Sequence, residues 1–129
     1  MKLSFFLLVT AVLSFAFGAM MFFVPSFAAD FLAMGTNIET LSALHGMGGL
    51  IIGSGLINFL LRNQNQVSVL KSLLITNIIT HLLGIAADIW GVVDGALTMS
   101  RILPVELTHL FIGFGSLIYW LNLTKTKVN

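Results

Sequence analysis

VSVLKSLLITNIITHLLGIAADIWGVV, Val67–Val93, is the stretch on which the fold turns. It stays apolar for longer than the roughly 20 residues that carry a helix across a bilayer. Its only charged side chains are Lys71 and Asp88. The polar run Asn63-Gln64-Asn65-Gln66 precedes it, and a segment with glycine, serine and one arginine follows it over 94–103. Working outward, three more segments pass the same test: 3–24, which stops at Pro25; 40–61, which ends at Arg62; and 104–123, which opens on Pro104, a good first-turn residue. With 67–93 they predict an all-α, integral membrane four-helix bundle of up-and-down topology. No internal repeat or low-complexity tract divides it, so 1–129 reads as a single transmembrane domain.

Composition agrees. Of 129 residues 57% are hydrophobic and 9% are charged, against roughly 25% charged in an ordinary soluble domain. A soluble fold of this size needs a polar skin that six basic and five acidic residues cannot provide. The net charge of +1 gives no footprint for a phosphate backbone, so no nucleic-acid partner is expected. The partner is the lipid bilayer. Cysteine is absent, which excludes disulfides, thiolate metal sites and dithiol redox chemistry.

The charges sort by side. Four spans put both termini on the side of the 63–66 turn. That side holds Lys2, Arg62, Lys125 and Lys127, with Lys71 able to snorkel back to it. The other side holds only Arg101. Asp30, Glu39, Asp88, Asp94 and Glu106 all fall on or near that second side. The positive-inside rule then places both termini in the cytoplasm. Trp90 at one end and Tyr119-Trp120 at the other stand at aromatic-belt positions. Lys2 and the apolar run after it also resemble a secretory signal. The run exceeds the usual length, however, and Pro25-Ser26-Phe27-Ala28-Ala29 is a poor cleavage site, so the segment reads as an anchor. Over 26–34, Phe27, Phe31, Leu32 and Met34 alternate with small or acidic residues. This suits a short interfacial helix between the first two spans, and equally an irregular connector.

Lipid tails are as apolar as leucine, so membrane helices associate through close packing and polar contacts. Small residues should therefore mark the contacts. The second span offers Gly46, Gly49 and Gly53, an arc widened by Gly48 and Gly55; the first offers Ser14 and Gly18, and the fourth offers Gly113.

Ionisable groups inside a span are the default functional candidates. His45 and His109 each lie about five residues into their predicted helices, roughly 7–8 Å deep, while His81 lies roughly 13 Å below Trp90. Helical side chains lean toward their own N-terminus. His45, His109 and Asp88 should therefore converge, with Glu106 beside them, into an outer ligand or proton-relay cluster. Asn77 and His81 should form a separate, deeper polar pair. A lone Glu106-x-x-His109 is a weak di-iron signal, since di-iron bundles carry two such copies and two further glutamates. Three readings of the cluster stay open: groups that satisfy one another and set helix register; a pocket for a headgroup, quinone or other small ligand; and a metal, haem or acid–base site. No cofactor and no metal ion are expected; quinone, metal and haem are the alternatives the cluster leaves open.

The second span reads His45-Gly46-Met47-Gly48-Gly49, then Gly53, Asn58 and Arg62. The third carries His81-Leu82-Leu83-Gly84 and then Asp88, and the fourth Leu107-Thr108-His109. With a first span ending at Val24-Pro25, this order of features resembles the DoxX-like group of small bacterial four-helix membrane proteins over nearly the whole chain. The resemblance implies a plasma-membrane location and a loose link to quinone-level electron transport. It carries over no catalytic residue, and the chain departs from the pattern at His45, where arginine is frequent. The function expected is that of a small bacterial inner-membrane protein, a non-catalytic binding or accessory subunit working with a membrane-protein partner or as a homo-oligomer. The alternatives are a redox or quinone-linked enzyme using the outer cluster, and a small oligomeric transporter.

Overall fold

Local signals in the chain start and stop each helix. In the computed structural model, which describes residues 1–125, they are α1 (Leu3–Phe23), α2 (Pro25–Leu32), α3 (Ile38–Leu61), α4 (Val67–Val93) and α5 (Met99–Lys125). No strand occurs among the described residues, and Lys127 lies outside them. The segment 26–34 resolves in favour of a helix. Pro25 opens α2 at its first position, where its missing N–H costs nothing. The helix stops at Ala33, which takes the left-handed conformation (φ 57°) and lets the Met34 N–H reach the Ala29 carbonyl. Asn37 caps α3: its side-chain oxygen accepts from the Thr40 N–H at 2.8 Å.

One boundary differs from expectation. The fourth span starts at Met99, and Pro104 lies inside α5. The Thr98 carbonyl already accepts from the Arg101 and Ile102 N–H groups, so the helix is under way before the proline. Pro104 removes only the bond to the carbonyl of Ser100, an exposed first-turn residue whose oxygen water can satisfy. The extra turn and more changes every depth measured along α5.

α1, α3, α4 and α5 are long and apolar enough to cross a membrane, so the chain is a multi-pass membrane protein surrounded by lipid. Its outer surface suits that solvent, with Leu50, Val93 and Ile38 each at least 75% exposed. The helices pack as two antiparallel pairs, α1 along α3 and α4 along α5. Backbone proximity makes the α1–α3 seam. A Cβ on Gly48 would lie 2.6 Å from the Phe22 nitrogen, and one on Gly18 would lie 2.9 Å from the Ile52 nitrogen. Gly55 faces Ser14 and Ala11 in the same line. Gly46 and Gly53, expected at such a contact, have nothing within 4 Å of their Cβ positions, and Gly49 meets only the Phe22 ring. The phase explains this. Leu44, Gly48, Gly55 and Asn58 share the buried stripe of α3, and at about 100° per residue Gly46 and Gly53 turn well away from it. Gly113 lies in the α4–α5 contact, its Cβ position 3.5 Å from the His81 Cβ.

The two pairs join most firmly at the end bearing the N-terminus. There Phe6 and Leu7 of α1 pack with Leu70, Leu73 and Leu74 of α4, flanked by Leu61, Tyr119 and Trp120. At the far end α2 lays Ala28, Ala29 and Leu32 on Met21 of α1 and Leu44 of α3. Between these clusters α3 and α4 do not pack along each other. They are tied by two buried amides: Asn77 donates to Asn58 at 2.9 Å, and Asn58 donates back at 3.3 Å.

Candidate functional site

The gap left between the helix pairs is a cavity of about 670 Å³. Its floor lies just above the amide pair, because Ser54 and His81 line it one helical turn beyond Asn58 and Asn77. Its roof is α2 and the following loop, through Leu32, Met34 and Gly35. Met47 and Leu50 of α3 and Thr80 and Ala87 of α4 both line it and are exposed. Its mouth therefore opens sideways between α3 and α4, toward lipid.

The walls are mainly aliphatic. The ionisable side chains among them all come from one wall: His81 and Asp88 of α4, and His109 of α5. His81 and Asp88 stand seven residues apart, on one face of α4. Gly84 lies between them and leaves room for an imidazole from α5: a Cβ there would come within 2.6 Å of the His109 Cε1. His109 fills that space. Its Nδ1 lies 2.7 Å from the Nδ1 of His81, with the rings 5.0 Å apart between centroids. One nitrogen must carry hydrogen and the other accept it. The His109 Nε2 points at Asp88 Oδ2 from 3.8 Å, too far for a hydrogen bond. Glu106, one turn before His109, is 9% exposed and in hydrogen-bond contact with the Asp88 side chain. Its Oε1 receives no N–H or hydroxyl hydrogen bond. A hydrogen bond between two carboxyl groups needs a proton on one of them.

This geometry redraws the expected clusters. Asp88, Glu106 and His109 come together, but His45 does not join them. Its Nδ1 bonds to the Leu41 carbonyl of its own helix at 2.9 Å, and its ring stands edge-on to Phe22 on an exposed face. Nor do Asn77 and His81 pair with each other. Asn77 turns to Asn58 and His81 to His109. The reason is the early start of α5, which puts His109 about ten residues, or roughly 15 Å, into its helix and level with His81. Asn58 stands in the sequence near the end of the second span, with no partner evident there. An amide three residues before the end of an apolar helix needs a partner in lipid, and that signal was available. Ser54 and Thr80, which line the cavity, carried no sequence signal beyond their polarity. Among the described residues no group of three His, Asp or Glu side chains is arranged to hold a metal ion.

Gly84 can be tested directly. Gly84→Ala should push the His109 ring off the Nδ1–Nδ1 contact, at a cost of about 1–3 kcal/mol typical of overpacking. Nitrogen-15 NMR of labelled histidine reads this: coupling across the His81–His109 bond should be present in the wild type and lost in the variant. Unchanged histidine spectra would show that Gly84 does not set the contact.

Comparison with family models, with curated proteins and with solved structures gives no match.

Proposed function

We propose that this chain is a non-catalytic binding or accessory protein of the bacterial inner membrane, and that it holds a lipid-soluble small molecule in the cavity between its two helix pairs. The observation that carries the reading is the cavity itself. At about 670 Å³ it falls within the size of small-ligand sites. It opens toward lipid, its walls are mainly apolar, and its ionisable groups are confined to one wall, which suits an apolar body with one polar end. The reading calls for no resident cofactor. The order of motifs shared with the DoxX-like group favours the plasma membrane, and Lys2, Arg62 and Lys125 at one end favour cytoplasmic termini.

Ser54→Trp places an indole in the cavity from α3 and leaves the His81, Asp88 and His109 side chains themselves unchanged. Protein in lipid nanodiscs should retain a lipophilic species near one per chain, seen by extraction and mass spectrometry, and the variant should lose it. Identical extracts from two equally stable proteins would overturn the reading. Topology has a separate test. Single cysteines at Asn65 and Thr98 are informative because the chain has none of its own. An impermeant thiol reagent added to intact cells should label Thr98→Cys and spare Asn65→Cys. The reverse pattern would invert the orientation.

A second reading is a redox or quinone-linked membrane component. What favours it is the row His81, His109, Asp88 and Glu106, with His109 and Asp88 3.8 Å apart, since imidazole beside carboxylate can relay protons. The purified protein would then carry quinone, metal or visible absorbance; a preparation free of all three that still binds ligand would retire it. For the accessory role, mild solubilisation should recover a stable partner, either another membrane protein or a second copy. A clean monomer argues for a stand-alone binding protein.

A further inference from the structure

We propose that the cavity selects a lipophilic cation, an onium or protonated amine on an apolar body, and that the His81–His109–Asp88–Glu106 string gives up a proton as the cation enters. This rests on the cavity being a binding site. Charge inventory comes first. The lining includes one carboxylate, Asp88, and two imidazoles, His81 and His109, but no lysine or arginine. The faces from α1 and α3 contribute hydroxyls, from Ser14, Thr40 and Ser54, and the face from α2 contributes Leu32; none of these titrates. His45 is outside, bonded to its own helix. Arg101 lies exposed at the far end of α5 and does not line the cavity.

Hydrogen-bond inventory points the same way. Asp88 and Glu106 bring four oxygens that share one proton between the two carboxyl groups. The nearest imidazole nitrogen of His109 stands at 3.8 Å from Asp88, beyond bonding distance. The Nδ1 contact between His81 and His109 uses one of their two N–H groups, and the other sits on the Nε2 of whichever ring accepts. Glu106 Oε1, in a residue nine-tenths buried, receives no N–H or hydroxyl hydrogen bond. The cavity therefore offers neutral donors and no fixed positive charge. In a low-dielectric site a carboxylate must hold a proton or face a cation.

That requirement ranks the ligands. An anionic head would meet the Asp88 carboxyl group and no fixed cation. A neutral head leaves the shortage of positive charge unchanged. A cation relieves it, and the Phe17 ring in the lining adds a face to which cations are drawn. The exchange balances: one carboxyl O–H of the Asp88–Glu106 pair ionises, its proton passes to water, and the cation takes its place beside the carboxylate. Linkage then requires that a rise in pH tighten binding of the cation and that bound cation promote loss of the proton.

The test uses the full chain in phosphatidylcholine nanodiscs and three probes of similar shape: tetraphenylphosphonium, neutral triphenylphosphine oxide and anionic tetraphenylborate, each corrected for uptake by empty discs. Saturable binding of tetraphenylphosphonium is expected, tightening by up to about tenfold per pH unit for one released proton. The phosphine oxide should bind at least about tenfold more weakly and without pH dependence, and the borate not at all. Asp88→Asn should abolish the preference for the phosphonium while leaving phosphine oxide binding in place. Glu106→Gln keeps the Asp88 carboxylate, so phosphonium binding should persist with a flattened pH profile; this variant and the wild-type probe ranking decide the matter if Asp88→Asn does not fold. Phosphine oxide or borate binding as well as the phosphonium, or phosphonium binding indifferent to pH, overturns the cation inference and leaves the cavity reading standing. Failure of all three probes to bind the wild type, or equal binding to Ser54→Trp, overturns the cavity reading as well.

Discussion

Gly48→Leu should part α1 from α3 and leave a chain that no longer folds stably in mild detergent. The neighbours of the missing Cβ are backbone: the Phe22 nitrogen at 2.6 Å, the Gly18 oxygen at 2.8 Å and the Met21 carbonyl carbon at 3.0 Å. No rotamer change relieves such a contact, so the helices must separate. Separation forfeits the dispersion contacts of the whole seam, and in lipid there is no compensating hydrophobic gain. Even Gly48→Ala should cost about 3 kcal/mol, the upper part of the range for overpacking. Gly53→Ala is the control. Its Cβ meets nothing within 4 Å, and alanine favours helix over glycine by about 1 kcal/mol. It should be neutral or slightly stabilising. Unfolding by denaturing detergent, followed by circular dichroism, measures all three. Equal stability of the Gly48 and Gly53 variants would refute the seam.

The second large effect is expected at the amide bridge. Asn58→Leu leaves Asn77 buried with its side-chain amide unmet, and Asn77→Leu does the reverse; both residues are at most 3% exposed. Each single variant should cost about 1–3 kcal/mol, the usual penalty for stranding a buried polar group. The double variant should recover much of that loss, because two leucines leave no polar atom behind. Additive losses in the double variant would mean that the pair does not act as a unit.

The four spans were legible because length and apolarity are one-dimensional properties, and a bilayer reads little else. Rotation about each helix axis was not legible in the same way. α3 is apolar nearly all round, so nothing in its composition separates the stripe of Gly48 and Gly55 from that of Gly46 and Gly53. Geometry with α1 decides, through the register that sets Gly18 opposite Gly48. The cluster failed and succeeded for one reason. Proline at 104 looked like a beginning and is the sixth residue of a helix that starts at Met99. That shift carried His109 down to His81 and left His45 behind. Asp88, Glu106 and His109 survived it, because α4 and α5 are neighbours and the two acids lie within a turn or two of the histidine. Gly84 was visible in the sequence as one residue of the α4 face; its use as the recess for an imidazole needed the partner helix.

The sideways mouth between α3 and α4 has a consequence for competition. A slot that opens into a bilayer is never vacant in practice, since acyl chains surround it at a concentration no dissolved ligand approaches. Any specific ligand must displace hydrocarbon that already fits aliphatic walls. Apolar bulk therefore earns no preference, and discrimination falls to the few groups that a lipid tail cannot satisfy: Asp88, His81 and His109. The broad greasy surface sets how much a ligand must resemble the membrane, and those three side chains set how it must differ.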